Sequence, residues 1–262
     1  MEFFDSHAHY FDARFKEEYP GGAEKAIADA YDAGVHSILN AGTSPYTVRE
    51  SIALAEKFSH LYVAAGLHPS DSHDVSDADL ENVLCEIRTL CRHPKVVAVG
   101  EIGLDYHWDV SKKERQKKIF DAQLSIAEEL KFPVIIHDRE AHGDTMDILR
   151  AHPNVSGVLH SFSGSAEMAR QLVDKGWYIS FAGPITYKNA RNLRETAEII
   201  SLDRILIETD APYLPPEPHR GKLNYSGYLP YIVRAIASVK ERPDEEVAVA
   251  TTKNALRLFG IV

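Results

Sequence analysis

The feature that most constrains this chain is an alternation repeated eight times, in which a short apolar run with strand character gives way to a longer segment whose apolar residues recur at helical spacing. The runs cover residues 3–9, 35–40, 61–66, 96–100, 133–137, 157–160, 177–181 and 204–209. Between them, Ala23, Ala26, Ile27, Ala30 and Tyr31 form one helical stripe, ended by Gly34. Val48, Ile52, Ala55 and Phe58 form a second, and Leu80, Val83, Leu84, Ile87 and Cys91 a third. Helices are expected over 112–130, 140–150, 166–175 with Ser165 as N-cap, and 189–200. Leu229, Ile232, Val233, Ile236 and Ala237 close the eighth unit. A further helix, opened by Pro243 and closed by Gly260, is expected to pack on the outside as a cap. Eight such units in roughly 250 residues match a (β/α)8 TIM barrel. The expected fold is therefore α/β, a TIM barrel with an extra C-terminal helix. Strand number alone does not show closure, so a doubly wound open sheet is the competing architecture.

Residues 1–262 are read as one domain, because no linker, low-complexity segment or charged tail interrupts the pattern. At 44% hydrophobic and 26% charged residues the composition is that of an ordinary globular protein. The start of the chain, with Glu2, Asp5, His7 and His9, has neither a cationic nor an apolar leader, and no apolar run approaches a membrane span. A cytoplasmic protein without membrane contact is expected. Cys85 and Cys91 stand six apart in a helical segment and are read as reduced packing residues. A formal net charge of -10 argues against a protein that coats nucleic acid, but leaves room for a local phosphate site containing metal ions, whose own charge counts.

In a barrel of this kind, functional side chains gather where strands hand over to loops at their C-terminal ends. His7 and His9 end the first run, Glu101 the fourth, His137 the fifth, His160 the sixth and Asp210 the eighth. The two-residue period of a strand points His7 and His9 the same way. Four imidazoles and two carboxylates converging in one mouth would be costly as a bare cluster, whereas metal ions would satisfy every one of them.

Six stretches carry a family resemblance: Asp5-Ser6-His7-Ala8-His9, Gly66-Leu67-His68-Pro69, Gly100-Glu101-Ile102-Gly103-Leu104-Asp105-Tyr106, Ile136-His137-Asp138-Arg139-Glu140-Ala141, His160-Ser161-Phe162-Ser163-Gly164 and Glu208-Thr209-Asp210-Ala211-Pro212-Tyr213. Over nearly its whole length the chain resembles the TatD-like metal-dependent hydrolases, within the wider amidohydrolase-like barrels. The resemblance implies that His7, His9, Glu101 and Asp210 hold one divalent ion, and Glu101, His137 and His160 a second, with Glu101 bridging. It also implies a deoxyribonuclease acting as a 3′-5′ exonuclease on single-stranded DNA through a metal-activated water. Ser161 departs from the pattern, standing where the family often has Cys, at a position that is not a ligand. Mixed nitrogen and oxygen donors favour Zn or Mn over Mg, although the family is described as using Mg as well. Asp210 is the expected proton acceptor and Glu101 its catalytic companion as the bridge. The alternative is a binuclear amidohydrolase acting on a C–N or ester bond, disfavoured because Glu101 bridges in place of the Lys carbamate that many amidohydrolases use. A non-catalytic metal-stabilised module would need a closed site, and six ligands for two ions leave positions for water.

Around the ligands, Glu208 lies two residues before Asp210 and is expected to partner a metal-bound His or Arg139. His68, Arg139 and Ser163 are the expected phosphate contacts, the last in the 161–165 loop that runs into a helix N-terminus. Asp105 and Tyr106 are expected to line the pocket. Lys112, Lys113, Arg115, Lys117 and Lys118 cluster at a helix start, where cations oppose the helix dipole, which favours a nucleic-acid role. Arg220 and Lys222 either add phosphate contacts or brace their loop. The remaining histidines, His36, His60, His73, His93, His152 and His219, are read as surface residues. DNA or another phosphodiester is the expected partner; no obligate protein partner is indicated, and the oligomeric state is left open.

Overall fold

The structure, a computed structural model, describes residues 1–107 and 112–261. Eight strands, β1 (Phe3–Ala8), β2 (Val35–Ala41), β3 (Leu61–Ala65), β4 (Val96–Asp105), β5 (Val134–Arg139), β6 (Gly157–Leu159), β7 (Tyr178–Phe181) and β8 (Ile205–Ile207), pair in parallel and in chain order. Parallel neighbours require a crossover, and the helical segments supply it. The sheet closes on itself just beyond β1 and β8: Asp210 N–H donates to His7 O at 2.9 Å and His9 N–H to Ala211 O at 2.6 Å. The fold is thus a TIM barrel, and the open-sheet alternative falls. Closure is made by the same backbone segments that carry three of the expected ligands.

Strand alternation sorts the core into two layers. Phe4, Leu39, Ala64, Ala98, Ile135, Val158, Tyr178 and Leu206, one from each strand, meet in a single cluster, as only the barrel interior allows. Their neighbours, among them Phe3, Ile38, Val63, Val99, Ile136, Ile179 and Ile205, face outward to the helices. The helical layer consists of α1 (Ala13–Glu18), α2 (Gly22–Asp32), α3 (Pro45–Ala55), α4 (Leu80–Leu90), α5 (Lys113–Leu130), α6 (His142–Ala151), α7 (Ala166–Asp174), α8 (Arg191–Ile199), α9 (Leu229–Lys240) and α10 (Asp244–Phe259).

Several expectations need correction. The short helix α1 was not legible; it forms because the Asp12 side chain accepts from Arg14 N–H at 2.9 Å and caps it. Helix α10 does not lie on the outside. Its Ala255 and Phe259 join the interior cluster, with the Phe259 ring 5.9 Å from that of Phe4, so it plugs the N-terminal end of the barrel. Asn254 fastens it to the start of β8 by donating to Leu202 O and Ile205 O, both at 2.9 Å. His152 is buried, its Nε2 bonded to Asp121 Oδ1 at 2.9 Å. Cys91 is buried as expected, whereas Cys85 is exposed; neither is in a disulfide. Among the described residues no helix is long and apolar enough to cross a membrane.

Candidate metal centre

Strand parity carries His137 two residues above Ile135 and His160 two above Val158, on the same inward face. Strand β4 runs five residues further than its apolar run, and Gly103 makes that possible: at φ 141° a Cβ there would lie 2.0 Å from His137 O. Glu101 and Asp105, on either side of this glycine, are thereby laid against β5. Asp210 adopts a left-handed backbone at φ 57°, a conformation Asp tolerates better than most residues, as the chain turns from β8 across the mouth.

These segments bring all six expected ligands together in two groups. His7 Nε2 stands 3.0 Å from His9 Nε2, 3.2 Å from Glu101 Oε2 and 3.8 Å from Asp210 Oδ1. His9 Nε2 stands 3.6 Å from Glu101 Oε2 and 3.3 Å from Asp210 Oδ1. Donors bound tetrahedrally at about 2.1 Å from one ion are about 3.4 Å apart, so this quartet has the dimensions of a metal cage. The other oxygen of the same carboxylate, Glu101 Oε1, lies 2.8 Å from both His137 Nδ1 and His160 Nε2, which are 3.2 Å from each other. Glu101 therefore offers one oxygen to each group.

The outer ring nitrogens show which way the lone pairs face. His9 Nδ1–H donates to Ala41 O at 2.8 Å, His137 Nε2–H to Asp105 Oδ2 at 3.0 Å, and His160 Nδ1–H to Glu208 Oε1 at 3.3 Å. A proton on each outer nitrogen leaves the inner one as a lone pair aimed at the centre, the arrangement metal-binding imidazoles adopt. His7 is the exception: its Nδ1 is buried without a partner, and its ring stacks on His160 at 4.0 Å. His68 shows the opposite polarity. Its Nδ1 accepts from Ser70 N–H at 3.1 Å, so the neutral ring carries its proton on Nε2, 3.4 Å from Glu101 Oε1. His68 is thus a hydrogen-bond donor at the edge of the centre, without the lone pair a ligand needs.

The electrostatics follow from this crowding. Burial would raise the Glu101 carboxyl, but His160, His68, His7 and the hydrogen bond from His137 hold it well below its ordinary value. Burial likewise opposes ionisation of Asp210, yet His9, with His160 and His7, keeps its carboxyl lowered. Burial would lower His160, and the two carboxylates Glu101 and Glu208 instead raise it well above its usual value. A divalent cation can take over the positive charge that protons would otherwise supply.

Above the centre the mouth has two lobes of about 440 and 380 Å³, which share His137, Arg139, His160, Asp210 and Tyr213 as common walls. His68 lines the first and Ser163 the second, so all three expected phosphate contacts border the mouth. Glu208 accepts from Ser161 N–H at 2.6 Å as well as from His160, so of its two expected partners it binds the histidine. Ser165 uses its hydroxyl to cap α7, accepting from Met168 N–H at 3.1 Å. Tyr106 turns away from the mouth, donating to Asp144 Oδ2 at 2.6 Å beneath the Lys113 ammonium, 4.2 Å above its ring. Much of the basic cluster is neutralised within the protein: Arg115 pairs with Asp77 and Val75 O, and Lys117 with Asp144 at 2.9 Å and Glu114 at 3.1 Å. Arg220 braces its loop, its guanidinium 4.4 Å from the Tyr187 ring. Sequence reasoning had Asp105 only as pocket lining and missed its bond to His137. The signal was present, because Glu101, Gly103 and Asp105 repeat at the strand period.

Comparison with known proteins identifies what the whole chain is similar to. A family model described as TatD related DNase matches residues 4–260. An uncharacterized metal-dependent hydrolase, YabD of Bacillus subtilis, is 42% identical over 260 residues, covering 98% of this chain and 99% of the relative. A Citrobacter rodentium protein named 3′-5′ ssDNA/RNA exonuclease TatD is 36% identical over 245 residues, 91% of this chain and 92% of its own. Among solved structures, the Escherichia coli TatD homologue YJJV superposes with a TM-score of 0.90 at 34% identity, covering 99% of this chain and 98% of that one.

Proposed function

The chain belongs to the TatD-related DNase family of metal-dependent hydrolases, and we propose that it is a phosphodiesterase that trims single-stranded DNA from its 3′ end. The observation that carries this reading is the split carboxylate of Glu101, with one oxygen in a His7-His9-Asp210 group and the other in a His137-His160 group. His7, His9, Glu101 and Asp210 would hold one divalent ion, and Glu101, His137 and His160 a second. Bound there, such a pair supplies Lewis acidity towards a phosphoryl oxygen and a water of lowered pKa. Zn or Mn suits the imidazole-rich donor set better than Mg does.

The protein's own groups have separable tasks. Asp210 directs Oδ1 at His7 and His9, and takes the proton of the attacking water on Oδ2. His68, with its Nε2–H, and Arg139 donate to the non-bridging oxygens of the phosphate, and Ser163 contacts the chain on the far side. Asp105 and Glu208 keep His137 and His160 in the tautomers that face the centre. A mouth ringed by loops admits a chain end more readily than continuous duplex. The exonuclease name of the Citrobacter relative supports the same direction and substrate.

The deciding experiment incubates the metal-loaded protein with oligonucleotides blocked at either end, circular single strands and a panel of N-acyl amino acids. Mononucleotides released from free 3′ ends, with 3′-blocked and circular DNA resistant, are expected. Cleavage of circles would make it an endonuclease, and activity confined to the N-acyl panel would make it an amidohydrolase.

A further inference from the structure

Tyr213 closes the last of the motifs that mark this chain, and nothing in the metal centre uses it. Its backbone is tied to the proton acceptor, since Tyr213 N–H donates to Asp210 O at 2.8 Å. The residue is 45% exposed and borders both lobes. Among the described residues, three other large apolar or aromatic side chains, Met1, Tyr31 and Tyr46, are at least as open to solvent, and none of them lines the mouth.

The exposed ring is nevertheless immobilised. Its hydroxyl donates to Asp12 Oδ2 at 2.7 Å, and the Arg14 guanidinium sits 4.1 Å from the ring centroid, covering one face. Asp12 is itself fixed as the cap of α1. The ring lies nearly perpendicular to that of His9, with centroids 6.0 Å apart, and Phe11, which lines the first lobe, meets the same imidazole with centroids 5.6 Å apart. Two aromatic rings thus flank an expected ligand at the wall of the mouth. Pre-paid ordering of this kind raises affinity for a flat partner, because little side-chain entropy is left to lose on binding.

We infer that Tyr213 is the platform on which the base of the terminal nucleotide stacks, so that the mouth selects base-bearing phosphodiesters over phosphoesters without an aromatic group. The inference rests on the phosphodiesterase reading. Every base has a π-face, so such a platform tolerates any sequence, as trimming requires. Arg14 occupies the opposite face of the ring and holds it towards the mouth.

The test uses the full-length, metal-loaded protein and two single-stranded oligonucleotides differing only at the 3′-terminal residue, deoxyadenosine or an abasic tetrahydrofuran nucleotide. Stacking of ordinary strength predicts that the wild type favours the base-bearing end by about tenfold in kcat/KM. Tyr213→Phe, which keeps the ring and loses the Asp12 bond, should retain that preference; Tyr213→Leu should bring it close to one. A wild-type preference near one, or one undiminished in the Leu variant, overturns the proposal. Equal loss in Phe and Leu also overturns it, since the residue then acts only as a staple between loops. Calorimetric binding of deoxyadenosine monophosphate against deoxyribose 5-phosphate provides the second arm, with the same order of variants expected. If neither oligonucleotide is cleaved, the phosphodiesterase reading fails, while the monophosphate preference and its loss in Tyr213→Leu still decide whether the platform exists.

Discussion

The two ends of the barrel interior are built by the same strands and behave as opposites. On β5, Ile135 lies in the apolar floor and His137 in the mouth; Val158 on β6 and His160 just past it repeat the step, and Leu206 on β8 is followed two residues later by Glu208, buried beneath the mouth. Two residues, about 6.6 Å of strand, separate hydrocarbon from ligand. The floor gains stability from burial, with Phe4, Tyr178 and Phe259 filling it. The mouth costs stability, because it takes carboxylates and imidazoles out of water. Inward parity makes the two inseparable in sequence, yet their energies are independent, so each should be breakable alone.

The largest effect is expected in the mouth. Asp210→Asn should lower kcat by about a thousandfold, the usual worth of a positioned base, while near-ultraviolet circular dichroism stays that of the native barrel. Near-normal kcat would move the proton to another residue. The mirror experiment strikes the floor: Phe259→Ala should cost about 3 kcal/mol and lower the melting temperature by roughly 6 °C. Its metal content per folded chain should not change, and parallel loss of metal would show that floor and mouth are coupled.

A finer test concerns Glu208, which supports the mouth from beneath. Glu208→Gln should weaken, by about tenfold, the cation proposed at the Glu101-His137-His160 group and spare the one proposed at the other group, as read by titration calorimetry. The pH dependence sharpens the point. Burial lowers His160, but Glu101 and Glu208 hold it well above its ordinary value, so the metal-free protein keeps that proton to higher pH than an ordinary histidine would. A cation must displace that proton, so affinity should fall as pH drops. In the Gln variant one raising charge is gone, and the fall should shift to lower pH. The smallest effect belongs to the rim: because Arg115 is engaged by Asp77 and Val75 O, Arg115→Ala should change oligonucleotide KM by less than about twofold. A tenfold rise would return the basic cluster to the DNA path.

Much of the candidate site was legible because of where its residues fall. A His, Glu or Asp at the end of an apolar run is visible without coordinates, and the barrel topology says that all such ends meet. The Asp105 bond to His137 was harder to see, since β4 continues through Gly103 beyond its apolar stretch. The basic cluster was read as a contact surface because its acidic partners, Asp77 and Asp144, are remote in sequence.

The sequence by itself determined the alternation of periods, hence the eight strand–helix units, and the residue types at each strand end, while closure of the sheet into a barrel came from backbone contacts between its two ends. Periodicity and burial are local properties, written into consecutive residues. Tertiary structure alone decided which atoms meet. It gave each oxygen of Glu101 to a different group, turned His137 to the centre through Nδ1 and made His68 a donor. It also sent α10 into the floor and set Tyr213 against Asp12, 201 residues away. Hydrogen-bond partners and tautomers depend on groups brought together by closure of the barrel, and no local pattern records them.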